Sequence, residues 1–181
     1  MKIIFLDIDG VLNTTQNIIR QKENGINNID EIDSSALNNL KDIVLTSDTY
    51  IVITSSWRIS ENNFQIWQLE KERKSTNKHW DCLIKKFKEI GILDHIIGVT
   101  PELFDKDGKE LSKPFEIISW IESHWKYNIE KIVVLDDEDK KLNSLFFGNR
   151  FIECNKETGL TKEKKDKAIK FLSANNKQKN K

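Results

Sequence analysis

The first thirteen residues, MKIIFLDIDGVLN, constrain the fold of this chain more than any other stretch. An apolar run from Ile3 to Leu6 ends at an acid, and Asp7, Asp9 and Gly10 follow at once. A short, continuous apolar run is typical of a buried strand in a parallel sheet. Asp7 is then expected at the carboxyl end of that strand, the edge where open α/β sheets place their ligands. Gly10 permits a sharp turn that brings backbone N–H groups close to the two acids.

The two neighbouring acids, Asp7 and Asp9, indicate a site for a cation. Carboxylates this close repel each other unless a cation or a shared proton lies between them. One interpretation is therefore a Mg²⁺ site in which Asp7 is free to act as a nucleophile. The alternative is that one acid caps a following helix while the other is solvated. An isolated pair of acids would favour that alternative. The choice between the two interpretations therefore depends on motifs elsewhere in the chain.

Composition indicates a single domain with a core of its own. A chain of 181 residues buries roughly 70% of its unfolded surface on folding and needs no covalent crosslink. Cys82 and Cys154 show neither a metal-binding nor a disulfide spacing, so we expect reduced thiols. The apolar N-terminal run is broken at Asp7, too early for a signal peptide or a membrane-spanning helix. We therefore expect a cytoplasmic protein.

Charge is unevenly distributed, although the formal net charge is zero. Residues 161–181 contain eight lysines and two acids, which gives this part of the chain a net charge of +6. We expect one domain over residues 1–174 and a disordered lysine-rich tail at 175–181. The simplest interpretation of the tail is a solvated end. The alternative is a segment that helps to hold a polyanion.

Alternating strand and helix patterns predict an α/β, three-layer Rossmann-like fold with a central parallel sheet. Buried strands are expected at 3–6, 50–53, 95–99 and 131–135, with a weaker strand at 150–153. Residues 13–33 are rich in asparagine and only weakly periodic, so we expect a loop or a small lid element there. A second candidate lid element is 59–80, and neither stretch contains a large cap domain.

Four helices are expected between and after these strands. Two of them follow capping residues at Ser34 and Thr161, and a third, interrupted helix covers 60–91. The fourth has Pro114 in its first turn, where the missing N–H costs nothing. Its buried face is expected to contain Phe115, Ile118 and either Trp120 or Ile121.

Polar side chains with catalytic potential follow the predicted strands and one helix start. Thr54 and Ser55 follow the second strand, and their hydroxyls can donate to a phosphate oxygen. The alternative is that one of them caps the next helix. Lys113 lies at a helix start, where backbone N–H groups also favour an anion. Asp136 and Asp137 follow the fourth strand, so these groups and the first acid pair can together bind Mg²⁺ and a phosphoryl group.

The span from Trp57 to Trp80 is rich in aromatic and basic side chains. Others within it are Arg58, Phe64, Trp67, Lys71, Arg73, Lys74 and Lys78. Aromatic residues at helical spacing are typical of a core, and we favour a core with a solvated basic face. The alternative is contact with substrate, in which rings stack on bases and cations pair with phosphates.

The order of these motifs resembles the haloacid dehalogenase-like (HAD) phosphotransferase superfamily. The stretches DIDGVLN, IVIT, the lysine of SKPFEI and VVLDDED resemble its four motifs in turn. Within that superfamily, TSSWR, GVTPEL, KPFEIISWI and the late GLT are similar to the HAD domain of Swiss-army-knife RNA-repair proteins. The resemblance covers residues 2–161. A glycine often follows the lysine in that group, whereas this chain has Pro114.

The resemblance implies a Mg²⁺-dependent phosphatase that works through an aspartyl-phosphate. Asp7 corresponds to the nucleophile. Asp9 corresponds to the general acid and base, whose backbone carbonyl also reaches the metal. Thr54, or its neighbour Ser55, corresponds to the phosphate-binding hydroxyl, and Lys113 to the cation that steadies the nucleophile and the phosphoryl group.

The second acid pair has divided roles in the same resemblance. Asp137 is expected to bind the metal, together with Asp7 and Asp9, whereas Asp136 is expected to pair with a lysine. Gly10 and Arg58 are expected to support the site. The implied partner is a phosphorylated substrate, such as a nucleotide or an RNA or DNA end, and no membrane is implied.

Other functions remain as alternatives. A response-regulator receiver domain also uses acids, a hydroxyl and a Lys-Pro pair, but its Lys-Pro follows a late strand, whereas Lys113 precedes a helix here. A HAD fold kept as a catalytically weak nucleic-acid-binding module is disfavoured because every motif position is filled. A broad small-molecule phosphatase differs from an enzyme for nucleic-acid ends only in substrate, because a small lid leaves the cleft open to both.

Overall fold

The computed structural model describes residues 1–26, 31–58, 78–138 and 142–174. Its strands are β1 (Lys2–Leu6), β2 (Thr49–Ile53), β3 (Ile96–Val99), β4 (Lys131–Asp136) and β5 (Phe151–Glu153). All of them run parallel in one sheet, in the order β3-β2-β1-β4-β5. The predicted strands and the central parallel sheet are therefore confirmed, with ends that differ by about one residue.

The central strand β1 is buried on both faces. Every side chain from Ile3 to Leu6 is fully buried, which explains why this run of the sequence is apolar without interruption. Leu6 is level with Ile53 of β2 and with Leu135 of β4. The residues that follow these three positions along the chain therefore emerge side by side at one edge of the sheet.

The described helices cover both faces of the sheet. They are α1 (Thr15–Glu23), α2 (Ser34–Ser47), α3 (Lys78–Glu89), α4 (Lys113–Ser123), α5 (Leu142–Phe147) and α6 (Lys162–Ser173). Helices α2, α3 and α6 pack on the face that contains Ile4 and Leu6. Helices α4 and α5 pack on the face that contains Ile3 and Phe5. The alternation of side chains along β1 thus supplies two apolar layers, and the three-layer fold is confirmed.

The N-cap prediction is wrong for α2 and confirmed for α6. The cap of α2 is Asp33 rather than Ser34, and its carboxylate accepts from the N–H groups of Ser35 and Ala36 at 2.7 and 3.3 Å. A carboxylate there satisfies two free N–H groups and also faces the positive end of the helix dipole. Thr161 is the N-cap of α6, as predicted.

The buried face of α4 differs from the prediction. Phe115 is 42% exposed, Ile118 is half-buried, and the buried apolar residues are Ile117 and Trp120. Residues three, four and seven positions apart share one face of a helix. Because Lys113 is directed at the sheet edge, positions 117 and 120 face the sheet and Phe115 is turned towards solvent.

The candidate lid elements are only partly described. The stretch 13–33 contains a helix, α1, with Thr14 as its N-cap, where the sequence indicated a loop or lid element. Of the predicted helix at 60–91, the described part is α3; residues 59–77 and the tail at 175–181 lie outside the described residues. No helix within the described ranges is long and apolar enough to cross a membrane.

Candidate active site

Asp7 is held between the ends of the two strands that flank β1. Its N–H donates to the carbonyl of Leu135 at 2.9 Å, and the N–H of Thr54 donates to the carbonyl of Leu6 at 2.8 Å. The Asp7 side chain is buried, and its Oδ1 accepts from the N–H of Ile8 at 2.8 Å. The parallel register therefore fixes the carboxylate at the carboxyl edge of the sheet, as predicted from the strand pattern.

Lys113 bridges the first and the second acid pairs. Its Nζ lies 2.5 Å from Oδ2 of Asp7 and 2.9 Å from Oδ2 of Asp136. Burial alone would lower the pKa of Lys113, but the two carboxylates outweigh it, so the pKa is raised. The ammonium consequently stays charged and links the start of α4 to both strand ends.

Asp136 is fully buried at the end of β4. Its Oδ1 accepts from the N–H of Glu138 at 2.9 Å while Oδ2 is bonded to Lys113. Burial raises the pKa of Asp136 to about 6, Asp7 adds to the rise, and Lys113 opposes it. The predicted pairing of Asp136 with Lys113 is present in the structure.

Asp137 lies on the other side of the same turn. Its Oδ2 is 3.6 Å from Nζ of Lys156, whose side chain is 68% exposed at the mouth of the site. Burial raises the pKa of Asp137, and the negative charge of Asp7 raises it further. Asp137 is thus less enclosed by hydrogen bonds than Asp136.

Three carboxylates converge in a way that fits a hard divalent cation. Asp7, Asp136 and Asp137 each offer one oxygen, and these oxygens lie within 4.8 Å of one another. Mg²⁺ prefers oxygen ligands of this kind. The lysine between them neutralises only part of their charge, so a cation would relieve the remaining repulsion. The side chain of Asp9 is not one of these three, and its predicted metal contact stays a prediction.

Asp9 is exposed, and each of its carboxylate oxygens accepts a hydrogen bond. Oδ1 accepts from Nδ2 of Asn13 at 2.8 Å, and Oδ2 accepts from Nε1 of Trp57 at 3.0 Å. The first helix after the acids is capped by Thr14, not by either acid. The alternative in which one of the two acids serves as a helix cap is therefore wrong.

The two predicted hydroxyl groups have different surroundings. Thr54 Oγ1 is buried and forms no hydrogen bond with the described part of the chain. Ser55 Oγ instead accepts from the N–H of Trp57 at 3.3 Å, at the start of the short 3₁₀ turn Ser56–Arg58. Thr54 therefore retains a buried hydroxyl with no partner among the described residues, and its predicted phosphate contact stays a prediction, whereas Ser55 supports the turn.

Arg58 is a buried support for this turn. Its Nη1 donates to the carbonyls of Thr54 and Ser55, each at 2.8 Å, and its Nε donates to the carbonyl of Thr100 at 2.9 Å. Its Nη2 forms an ion pair with Glu116 at 2.7 Å. Glu116 was not among the predicted site residues. The only local indication was an acid three residues after Lys113, on the face of α4 that has to be buried.

Gly10 allows the second acid pair to approach the first. Its φ is +69°, and a Cβ atom at this position would overlap the carboxylate of Asp137. The predicted supporting role therefore has a steric basis, since any other residue would meet both backbone strain and a clash.

A cavity of about 410 Å³ opens above these groups. Asp7, Asp9 and Lys113 line it, as do six residues that the sequence analysis did not name as site residues: Asn13, Thr15, Ile18, Ser56, Glu138 and Lys156. Thr15 and Ile18 belong to α1, so part of the predicted lid element 13–33 forms the wall. Helix α1 is held there because the N–H of Thr15 donates to the carbonyl of Lys156 at 3.0 Å.

Comparison with known proteins identifies the family. No curated protein and no solved structure matches the chain. A family model described as the HAD domain in Swiss Army Knife RNA repair proteins matches residues 3–164. The matched range begins in β1, ends in α6 and includes every site residue described above. The chain therefore belongs to the family of HAD domains found in Swiss Army Knife RNA repair proteins.

Proposed function

We propose that the protein is a Mg²⁺-dependent phosphomonoester hydrolase that acts through an aspartyl-phosphate on Asp7. One observation supports this most strongly: a buried carboxylate at the end of the central strand is hydrogen-bonded to Lys113 and surrounded by Asp136 and Asp137. A carboxylate attacks an anionic phosphate only when nearby charge is neutralised. The converging acids and the lysine provide a place for that neutralisation.

In the first step an oxygen of Asp7 attacks phosphorus and the bond to the leaving oxygen breaks. The Asp9 carboxyl group gives its proton to that oxygen, so an alcohol leaves and Asp9 becomes a carboxylate. Lys113 steadies the nucleophile and the phosphoryl oxygens, and Thr54 donates its free hydroxyl to one of them.

In the second step a water molecule attacks the phosphorus of the aspartyl-phosphate. Asp9 takes a proton from that water, and the bond between phosphorus and Asp7 breaks. Inorganic phosphate and the original carboxylate are the products, and Asp9 is again protonated. One side chain thus serves as acid and then as base.

The carboxylates of Asp7 and Asp137, with the backbone carbonyl of Asp9, would hold Mg²⁺ in this proposal. The ion supplies positive charge that lets two anions approach each other. Asp136 then orients Lys113, because it is fully buried and already bonded to the ammonium.

We propose a phosphorylated nucleic-acid end or a nucleotide as the substrate. The family's association with RNA repair supports this, as does the open cavity bounded by a single described helix of the lid element. The exposed Lys156 at the mouth of the cavity and the lysine-rich segment that begins with α6 can contact further phosphates. A broad small-molecule phosphatase is the second candidate, favoured by the same open cavity.

Catalytic efficiency on an end-phosphorylated oligonucleotide and on the matching mononucleotide separates these candidates. The oligonucleotide should be preferred at low salt and should lose its advantage as salt rises, because each neutralised phosphate releases counterions. All activity should vanish in EDTA. A mononucleotide preference at every salt concentration would indicate a small-molecule phosphatase, and no hydrolysis of any ester would indicate a binding module.

The basic span supplies a second arm of this experiment. Lys71, Arg73 and Lys74 lie outside the described residues, and their substrate contact stays a prediction. Their joint replacement by Ala should lower only the oligonucleotide value. A charge-matched control replaces three exposed lysines elsewhere, Lys85 and Lys88 of α3 and Lys126. If both triple variants lowered the catalytic efficiency on the oligonucleotide equally, the lysines would act by general electrostatic attraction and not by defined contacts with the nucleic-acid strand.

A further inference from the structure

Among the described residues after the second strand, Trp57 is the one whose side chain forms a hydrogen bond with the proposed general acid. Its indole Nε1 donates to Oδ2 of Asp9 at 3.0 Å. We infer that Trp57 is a positioning residue that aims the Asp9 carboxyl group at the leaving oxygen. This inference rests on the proposed phosphatase function and assigns a role to a residue whose aromatic surroundings in the sequence favoured a place in the core.

The position of Trp57 is itself fixed from several sides. It lies in the turn whose carbonyls are bonded to Arg58, and its own N–H donates to Oγ of Ser55. Its ring is 6% exposed and packs against the ring of His79, with centroids 4.9 Å apart. A donor held this firmly restricts the rotation of an otherwise exposed aspartate, so the orientation is set before the substrate binds.

The chemistry of the indole suits a general acid. An indole N–H is a donor only, and so is the amide nitrogen of Asn13 that bonds the other oxygen of Asp9. Neither group can accept a proton. Donors on both oxygens favour the carboxylate form, so they assist transfer of the Asp9 proton to the leaving oxygen as the P–O bond breaks, and the carboxylate left behind keeps both hydrogen bonds. In the second step the same carboxylate accepts a proton from water.

Burial alone offers a simpler explanation of Trp57, namely that it only fills the core. The two explanations differ in what removal of the N–H does. A core residue should affect all substrates equally through stability, whereas a positioning residue should affect only reactions that need proton transfer. Leaving-group dependence is thus the decisive readout.

The test compares Trp57→Phe with the wild type on ring-substituted phenyl phosphates of similar size. A nitrophenolate leaves without help from an acid, whereas an unsubstituted phenolate needs a proton. The quantity to compare is kcat/KM, because it reports formation of the aspartyl-phosphate and not its later hydrolysis, which is the same for both esters. For Trp57→Phe we expect kcat/KM to fall by about ten-fold or more on phenyl phosphate and to stay within about two-fold on p-nitrophenyl phosphate. The matched control is Trp80→Phe, a tryptophan that is 2% exposed and does not line the cavity; it should change both rates equally.

A double-mutant comparison strengthens this test. In kcat/KM, Asp9→Asn should show the same leaving-group pattern as Trp57→Phe, only larger, and the double variant should lose no more than Asp9→Asn alone. Equal losses of Trp57→Phe on both esters, or fully additive losses in the double variant, would overturn the inference while leaving the proposed function intact. A wild-type protein inert towards every ester would overturn both.

The contact itself has an independent readout. The chain contains five tryptophans, whose indole N–H signals can be resolved by NMR. Asp9→Asn should shift the Trp57 signal more than the others. An unchanged Trp57 signal would also overturn the inference, because the hydrogen bond would be absent in solution.

Discussion

Arg58 and Glu116 form a buried ion pair that joins the turn after β2 to the first turn of α4. The Nη2–Oε2 distance is 2.7 Å, and the two side chains are 5% and 1% exposed. Burial raises the pKa of Glu116, while the guanidinium of Arg58 opposes the rise. Because Lys113 begins the same helix, the pair helps to set how this lysine approaches the sheet edge. The candidate site therefore depends on an ion pair that does not line its cavity.

Removal of one partner of this pair should be strongly destabilising. Glu116→Leu leaves the Arg58 guanidinium buried without its carboxylate, and we expect the free energy of unfolding to fall by about 3–5 kcal/mol. Urea denaturation measures this change. Asp42→Ala is the matched control, because it removes the exposed ion pair with Lys165, whose N–O distance is 2.9 Å. That loss should stay below about 1 kcal/mol, and equal losses would contradict the assigned role.

Asp7→Asn should abolish turnover while preserving the fold. The amide has the same shape and can still accept from Lys113, but it is not a nucleophile. We expect kcat to fall by about 10³-fold or more. Circular dichroism should be unchanged. Asp42→Asn, on the exposed side of α2, should keep wild-type turnover. Near-wild-type turnover of Asp7→Asn would exclude a covalent intermediate on this residue.

Asp137→Asn should weaken Mg²⁺ binding more than Asp136→Asn does. Asp136 is committed to Lys113 and to the N–H of Glu138, whereas the partner of Asp137 among the described residues is the more distant Lys156, at 3.6 Å. Loss of a direct ligand should lower the affinity for Mg²⁺ by about ten-fold or more. Loss of a group that acts through Lys113 should lower it less. Calorimetric titration with Mg²⁺ measures both without activity. The reverse order would exchange the two roles.

Gly10→Ala should damage the site through a steric clash. The added Cβ would overlap the Asp137 carboxylate at a φ of +69°. We expect weaker Mg²⁺ binding and a loss of stability beyond the roughly 1–2 kcal/mol of left-handed strain alone. Gly108→Ala is the control, because Gly108 has a φ of +78° and open space around it. If both variants bound Mg²⁺ like the wild type, the close approach at Gly10 would not matter.

The Cys154 thiol should be inert in the folded protein. Burial raises its pKa to about 12, so the nucleophilic thiolate is not populated near neutral pH. In a Cys82→Ser background, Ellman's reagent should label Cys154 only after unfolding. Rapid labelling of the native protein would contradict this burial.

The same thiol should make stability fall at high pH. Its pKa is raised in the folded state, so the unfolded chain releases the proton first. The contribution of the protonated Cys154 thiol to the free energy of unfolding is complete below the ordinary thiol pKa. It is lost as pH rises towards about 12. Between about pH 8 and about pH 11 the wild type should therefore lose more stability than Cys154→Ala does. Parallel pH profiles of the two proteins would exclude this effect.

The local sequence pattern by itself determined the strands of the sheet and the positions of most of the proposed catalytic groups. Each strand is a short apolar run, and burial on both faces demands such runs wherever the strands pair. Asp7 and Asp136 are brought together because parallel strands end at one edge of the sheet, which follows from the pattern before any coordinate is known. Lys113 joins them because α4 begins at the same edge. The cap of α2 was misplaced by one residue because Asp33 and Ser34 both suit the position.

Only the tertiary structure decided which distant side chains share one hydrogen bond. Glu116 lies 58 residues from Arg58, and Trp57 lies 48 residues from Asp9, so no local pattern relates them. The face of α4 that is buried, and hence the exposure of Phe115, depended on where Lys113 had to point. Apolar periodicity reports burial along one element. The direction of a buried donor or acceptor depends on the group that another element places opposite it, because a buried polar atom is stable only when that partner is present.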